Sequence, residues 1–254
     1  MKRLTLLNFF TVLRCSSCDE VFKLGAEGNA VLCDECSSKF EQEMQRCCSS
    51  CGLVASLCRC VPQNIRAVGC NTLIKIGFYD PETEGVTERL ILNQKDYLNK
   101  HLSMFLVERL SAPLRTCLVT SKKNVSEVII TYAPRSRKAV NEKGFDQAEI
   151  LARLCAKKLG CRFAKLLIRS SNGKQQKELD RSARTENAKR SFMLRGEYDF
   201  HKATVVVIDD IVTTGASLSA CVDLLKKAGA ENVICLAVAQ TNKSRRASTQ
   251  PLKK

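Results

Sequence analysis

Residues 205–217 read Val205-Val206-Val207-Ile208-Asp209-Asp210-Ile211-Val212-Thr213-Thr214-Gly215-Ala216-Ser217, and three physical signals follow one another in that order. An unbroken aliphatic run suits a strand buried on both faces, as in a parallel sheet covered by helices on either side. Two adjacent carboxylates stand at its end. A short Thr/Gly/Ser loop then opens a helix whose inner face is Leu218, Cys221, Val222 and Leu225 and whose end is marked by Gly229. Strand, loop and helix in this succession belong to an α/β domain, and ligands of open parallel sheets sit just beyond the carboxyl ends of the strands.

That position gives the loop its chemistry. Amides at a helix start, with the hydroxyls of Thr213, Thr214 and Ser217, can surround a phosphate. Gly215 lets the backbone approach closely. Asp209 and Asp210 repel a phosphate but accept hydrogen bonds from sugar hydroxyls. Phosphate in the loop and a diol on the carboxylates describe a ribose 5-phosphate.

Outward from this motif the α/β texture begins near Leu73. Leu102, Phe105, Leu106, Arg109 and Leu110 keep the spacing of a core-facing helix, and Val128-Ile129-Ile130 reads as a short buried strand. Asp146 and Glu149 form a capping-box pattern before a helix with the apolar face Ile150, Leu151, Leu154, Cys155 and Leu159, ended by Gly160. Between strand and helix, Arg135, Arg137, Lys138 and Lys143 supply the positive charge a pyrophosphate needs; a solvated charge run is the competing reading. Residues 170–190 read as a polar loop able to close over a substrate, from which Arg181 and Arg184 would reach a departing anion.

The amino-terminal part has another texture. Eight cysteines arrive as four pairs, Cys15/Cys18, Cys33/Cys36, Cys48/Cys51 and Cys58/Cys60. A C-x-x-C turn brings two sulfurs to one ion, and two such turns complete a closed, structural Cys₄ zinc site. Sequential pairing gives one ordinary and one tight ribbon; crossed pairing of the first pair with the third is also open. Cys47 and Cys70 are spare. Such ribbons bind nucleic acid or protein, or cap a neighbouring domain, and their residues do not choose.

Lys and Arg exceed Asp and Glu by 41 to 26, a formal charge of +15, so the chain attracts polyanions. Aromatic residues are few and Trp is absent, which disfavours stacking on bases as the main binding mode. Residues 1–13 superficially resemble a leader, but the apolar run is short and Arg14 stands where a small residue is expected, so an amphipathic helix packed on the next module is the preferred reading. No stretch approaches the roughly 20 apolar residues of a membrane span. The expectation is a cytoplasmic protein.

The stretch VVVIDDIVTTGAS resembles the phosphoribosyl pyrophosphate signature of type I phosphoribosyltransferases. PRSRKAVNEKGFDQ at 134–147, and Gln176-x-x-Leu179 with Arg184, Asn187 and Phe192, resemble corresponding regions of the ComF family of competence-associated proteins. Lys143, Asp146, Tyr132 and Asn141 depart from the usual Arg, Asn, Pro and Arg of that family, the last removing a cation from the pyrophosphate loop. The resemblance implies a type I phosphoribosyltransferase-like parallel sheet flanked by helices, spanning 66–240 with a hood at about 71–125. A zinc-ribbon module at 1–65 precedes it and a basic tail at 241–254 follows. It implies Asp209 and Asp210 on the ribose hydroxyls, Thr213, Thr214, Gly215, Ala216 and Ser217 on the 5-phosphate, and Mg²⁺ between ribose and pyrophosphate, with Asp209, Asp210 and Arg184 as the catalytic set. It further implies a role in DNA uptake, with single-stranded DNA and uptake proteins at the inner membrane as partners. The alternatives are a housekeeping phosphoribosyltransferase for a base or amine, a single-stranded DNA-binding module without turnover, and a sensor of the phosphoribosyl donor.

Overall fold

The chain is described by a computed structural model for residues 13–22, 31–80, 82–169 and 191–242. Its centre is a five-stranded, wholly parallel sheet. In spatial order the strands are β1 (Leu73–Tyr79), β7 (Asn232–Thr241), β6 (Thr204–Val212), β2 (Val128–Tyr132) and β3 (Arg162–Phe163). The aliphatic run of the signature is β6, the central strand. Val206 lies opposite Ile130 on one side and Ile234 on the other, and Val205 through Ile208 are fully buried.

Strand periodicity divides that run between two cores. Val206 and Ile208 join Val128, Ile130, Ile234 and Leu236 beneath α4 (Lys100–Thr120) and α6 (Gln147–Leu159). Val205 and Val207 join Ile129, Cys235 and Ala237 beneath α7 (Ala216–Lys227) and the short α2 (Gln63–Ala67). Residue 65, where the sequence expectation ends the first module, lies in α2, and its Ile65 side chain is fully buried in this second core.

The stretch 71–125, expected as a hood, gives its first strand to the main sheet. Leu73–Tyr79 is largely buried and pairs in register with Cys235–Thr241, so β1 is a sheet edge, and α3 (Val86–Asp96) and α4 of the same stretch pack on it. An antiparallel ribbon of β4 (Leu167–Arg169) and β5 (Phe192–Leu194) brackets residues 170–190. Those residues, with the expected closing loop and Arg181 and Arg184, lie outside the described residues, as do residues 1–12 and the tail from 243.

The cysteine-rich module is docked on the sheet domain. Phe40 of α1 (Asp34–Met44) is buried against Phe105, and the Arg109 guanidinium lies 4.8 Å from one ring and 4.6 Å from the other while binding Glu41 at 2.7 Å. Arg109, read as part of a core-facing stripe, thus serves the seam between the two parts. Glu43 of α1 accepts from the amides of Val86 and Thr87 at 2.8 Å each, capping α3 with a carboxylate at its positive end. The later cysteines close on the sheet through Phe78, which packs with Cys48, Ala55 and Cys58.

Candidate functional site

From β2 the chain runs through α6 to β3 on one side of the sheet; from β6 it runs through α7 to β7 on the other. The loops leaving these neighbouring strands therefore diverge, which opens a crevice at their carboxyl ends. A cleft of about 200 Å³ lies there, walled by Ala133, Pro134 and Arg135 after β2, Asp209 and Asp210 of β6, Gln147, Ser217, Arg169 and Phe192. Fold and signature meet at one place.

Asp209 and Asp210 occupy successive positions of β6, and each has an oxygen tied to the amide that follows it, Asp210 N at 2.9 Å and Ile211 N at 2.6 Å. Asp210 Oδ2 also accepts from the Gln147 side-chain amide and pairs with Lys95 Nζ at 3.2 Å. Burial, and Asp210 alongside, push the Asp209 carboxyl well above the usual carboxylate range. Asp209 is therefore short of positive charge and of donors, an environment that suits a diol or a divalent cation. Lys95 comes from α3, and nothing in its sequence neighbourhood signals this role. Gln147 lies in the quoted 134–147 stretch without an expected function.

Gly215 caps α7 in the left-handed conformation, with φ of 76°. A methyl group there would meet Ile65 Cγ1 at 2.9 Å and Pro62 Cβ at 3.1 Å, so glycine is required both by backbone angle and by the closeness of α2. Asn64 of α2 ties the loop down: its side chain donates to Thr214 O at 3.1 Å, and its carbonyl accepts from Ser219 Oγ at 2.9 Å. Thr214 Oγ1 accepts from Ala216 N at 3.4 Å, Ser217 lines the cleft, and Thr213 is exposed. The first turn of α7 thus offers amides and hydroxyls at the positive end of a helix. Asn64 is a second residue the sequence did not single out.

The four cations expected on the β2 loop separate. The stretch read as loop contains a helix, α5 (Arg137–Lys143), capped by Ser136 Oγ to Ala139 N at 3.2 Å and ended by Gly144 with φ of 78°. Arg135 lines the cleft and Arg137 an adjoining cavity. Lys143 instead pairs with Asp96 at 2.7 Å, and Lys138, exposed, faces Glu142 at 3.9 Å; neither lines the cleft. A seven-residue helix turns successive side chains around its axis, so one face alone meets the crevice.

Asp146 caps α6, its Oδ1 accepting from Ala148 N at 3.1 Å, while its Oδ2 holds the amide of Arg135 at 2.8 Å. The reciprocal half of the expected capping box is replaced. Glu149 binds Tyr132 Oη, Lys165 Nζ and Arg153 Nε, each at 2.8 Å, and these stronger partners take its carboxylate.

The paired cysteines assemble as two groups of four, Cys15, Cys18, Cys33, Cys36 and Cys48, Cys51, Cys58, Cys60, with the ligand atoms of each group within 4.8 Å of one another. Sequential pairing is the arrangement adopted. The C-x-x-C turns at Cys15 and Cys48 have one design: Asp19 N donates to Cys15 O at 3.0 Å and Gly52 N to Cys48 O at 2.8 Å, each donor residue having a positive φ. Arg14 bridges Val21 and Cys47 bridges Val54 across the two turns. Burial by itself raises the Cys15 thiol, but amides of Cys18, Cys33 and Ser17 outweigh it and bring it down to about 7. Cys48 is brought down to about 7 in the same way by Ser50 and Cys51. Four converging sulfurs with amide support fit a tetrahedral zinc ion.

A parallel sheet with this signature at its switch point defines a phosphoribosyltransferase-type domain, and the phosphoribosyl transferase domain family matches residues 145–254. The DNA utilization protein YhgH of Escherichia coli O6:H1 (strain CFT073) is 25% identical over 226 residues, covering 86% of this chain and 93% of its own. Competence protein F of Haemophilus influenzae is 23% identical over 239 residues, covering 90% and 96%. These relatives and the domain match support the ComF family. Among solved structures it is similar to a purine phosphoribosyltransferase from Pyrococcus horikoshii, 21% identical with a TM-score of 0.32 over 55% of this chain and 86% of that one. It is also similar to an adenine phosphoribosyl transferase from Trypanosoma brucei, 14% identical with a TM-score of 0.35 over 65% and 74%.

Proposed function

We propose that the chain binds phosphoribosyl pyrophosphate with Mg²⁺ in the cleft between β2 and β6. The observation that carries this reading is the Asp209–Asp210 pair standing at the end of β6 beside the Gly215-capped start of α7. The ribose hydroxyls donate to the two carboxylates, the 5-phosphate sits on the amides and hydroxyls of Thr213–Ser217, and Arg135 neutralises pyrophosphate. Asp209 and Asp210 would hold Mg²⁺, which when bound would supply positive charge to the pyrophosphate and favour the ionised form of both carboxylates. Lys95 and Gln147 fix Asp210 so that its oxygens meet the sugar in one orientation. In a transfer reaction the pyrophosphate leaves as an acceptor nitrogen attacks the anomeric carbon, and the residues named here contribute position and electrostatics.

Isothermal titration of phosphoribosyl pyrophosphate with Mg²⁺ into the zinc-loaded chain tests this. Saturable binding is expected, and its loss in the Asp209→Ala, Asp210→Ala double variant. A folded wild-type chain that does not bind would overturn the reading.

A role in DNA handling is the second reading, supported by relatives named for competence and DNA utilization and by the formal charge of +15. In it the protein works in the cytoplasm, supporting DNA uptake with partners at the inner membrane, and a basic surface contacts single-stranded DNA. Among the described residues no helix is long and apolar enough to cross a membrane. Salt-sensitive binding of single strands that survives Asp209→Ala is expected, because that change touches the sugar site alone. Binding abolished by Asp209→Ala would merge the two sites and sink the separation.

A further inference from the structure

Only Val61, Pro62 and Gln63 separate Cys60, the last cysteine of the second group, from Asn64, the residue that clamps the phosphate loop. This link has little freedom. Pro62 fixes its own φ, here −53°, and confines Val61 before it to extended backbone. Val61 is buried in the second core together with Ile65. The carbonyl of Pro62 accepts from the amides of Ile65 and Arg66 at 3.0 and 3.1 Å, which joins the link to α2. At the other end the Cys60 carbonyl accepts from Lys75, and the Cys60 amide points at Cys58 Sγ, 3.4 Å away.

The two halves of the group have different anchors. The Cys48/Cys51 turn is tied to the sheet, because Asn242, just after β7, accepts from Ser49 N and donates to Cys47 O, both at 2.9 Å. The Cys58/Cys60 half leads into α2. A shared ion joins the anchored half to the half that carries the clamp. Beyond Asn64 the contact with the loop is close: Pro62 and Ile65 leave no room for a methyl group on Gly215, and Ser219 Oγ donates to the Asn64 carbonyl. A displacement of Cys60 therefore meets no soft element before it reaches Thr214 and the start of α7.

We propose that the second Cys₄ group sets the form of the phosphate loop, with Asn64 as the positioning residue, so that zinc at Cys48, Cys51, Cys58 and Cys60 and the phosphoribosyl donor strengthen each other's binding. The choice of ligand rests on the donor reading of the cleft; the mechanical link rests on the contacts of α2 alone. Coupling of this kind is reciprocal: the factor by which zinc raises donor affinity is the factor by which the donor raises zinc affinity. Asn64 is half-buried and belongs to neither hydrophobic cluster, so its truncation cuts the link and spares the core.

The test is equilibrium competition between the zinc-loaded full chain and a zinc-selective chelator, with and without saturating phosphoribosyl pyrophosphate and Mg²⁺. Freed thiols are alkylated in a brief pulse and assigned by mass spectrometry, which tells the second group from the first. The donor is expected to raise the chelator level that frees Cys48, Cys51, Cys58 and Cys60 by about fivefold or more, and Asn64→Ala to abolish most of that protection at donor levels that saturate the variant. Donor that binds the wild type without protecting these thiols overturns the proposal, and equal protection in Asn64→Ala overturns the route through α2. Should the donor not bind at all, the reading of the cleft fails, and hydrogen exchange decides the coupling by itself. At chelator levels that free those four thiols, the amides of residues 214–219 should exchange about fivefold faster or more while β6 keeps its protection. Unchanged exchange at 214–219, or protection lost across β6 as well, overturns the coupling.

Discussion

Lys75 Nζ donates to the carbonyl oxygen of Cys60 at 3.1 Å and, from the same place, to that of Cys58 at 3.3 Å. Lys75 belongs to β1 and is 2% exposed, so its ammonium is held by carbonyls alone within a space that disfavours charge. A zinc ion with four thiolates carries about two net negative charges, which would balance it through the ligand loop. Replacement Lys75→Met is expected to reduce zinc from about two to about one per chain, or to speed release of one ion to a chelator, while the Cys15 group keeps its metal. Metal analysis and chelator kinetics read this directly. Two ions released at unchanged rates would mean that the carbonyls alone satisfy Lys75.

The raised Asp209 carboxyl carries a cost in stability with a definite sign. Well below pH 4, about the unfolded value for Asp, this residue is protonated in folded and unfolded chains alike. As pH rises through that range the unfolded chain ionises first, and the wild type loses stability until the folded carboxyl also ionises. Asp209→Asn is therefore expected to melt higher than wild type at neutral pH, by roughly 2–4 °C per kcal/mol regained, with the gain vanishing in acid. The same variant should lose the phosphoribosyl donor. A variant no more stable than wild type at pH 7 would show that Asp209 is not short of charge.

How far the sequence discloses this site depends on how local each cause is. The β6 run was legible because burial on both faces leaves no polar residue from Val205 to Ile208, and Asp146 because a cap acts within one turn. Lys95 and Asn64 were not legible. They reach Asp210 and Thr214 through the packing of α3 and α2, and no local pattern encodes such an encounter. Helix α5 lacked the apolar stripe that marks longer helices, although Ser136 and Gly144 stand at its ends as start and stop signals. The cysteine spacing left two pairings open, and the docking of Cys58 beside Phe78 settles them by placing the last pair next to Cys48.

Lys95 makes the pH dependence of donor binding testable. Its ammonium pairs with Asp210 and also opposes the rise of the Asp209 carboxyl. In Lys95→Met that opposition is gone, so Asp209 holds its proton to higher pH, and binding that needs both carboxylates ionised moves upward in pH. Titrations across pH 5 to 9 should show an affinity deficit at the acid end that narrows at the alkaline end. A uniform deficit across that range would mean that Lys95 touches the ligand directly.

Gly215→Ala tests whether α2 and the phosphate loop are one unit. The new side chain would take a left-handed φ, costing about 1–2 kcal/mol, and its Cβ would stand 2.9 Å from Ile65 Cγ1 and 3.0 Å from Cδ1. Relief requires α2 to move, and with it Asn64, which holds both Thr214 and Ser219. The melting temperature should fall by several degrees, and donor affinity by about tenfold or more, because the hydroxyls and amides no longer converge on one phosphate position. Adding Ile65→Ala to Gly215→Ala removes both Cγ1 and Cδ1 without changing φ, so it should restore part of the affinity and leave the backbone cost in place. A double-mutant cycle on both quantities separates the two causes. Affinity unaltered in Gly215→Ala would show that the loop holds its form independently of α2.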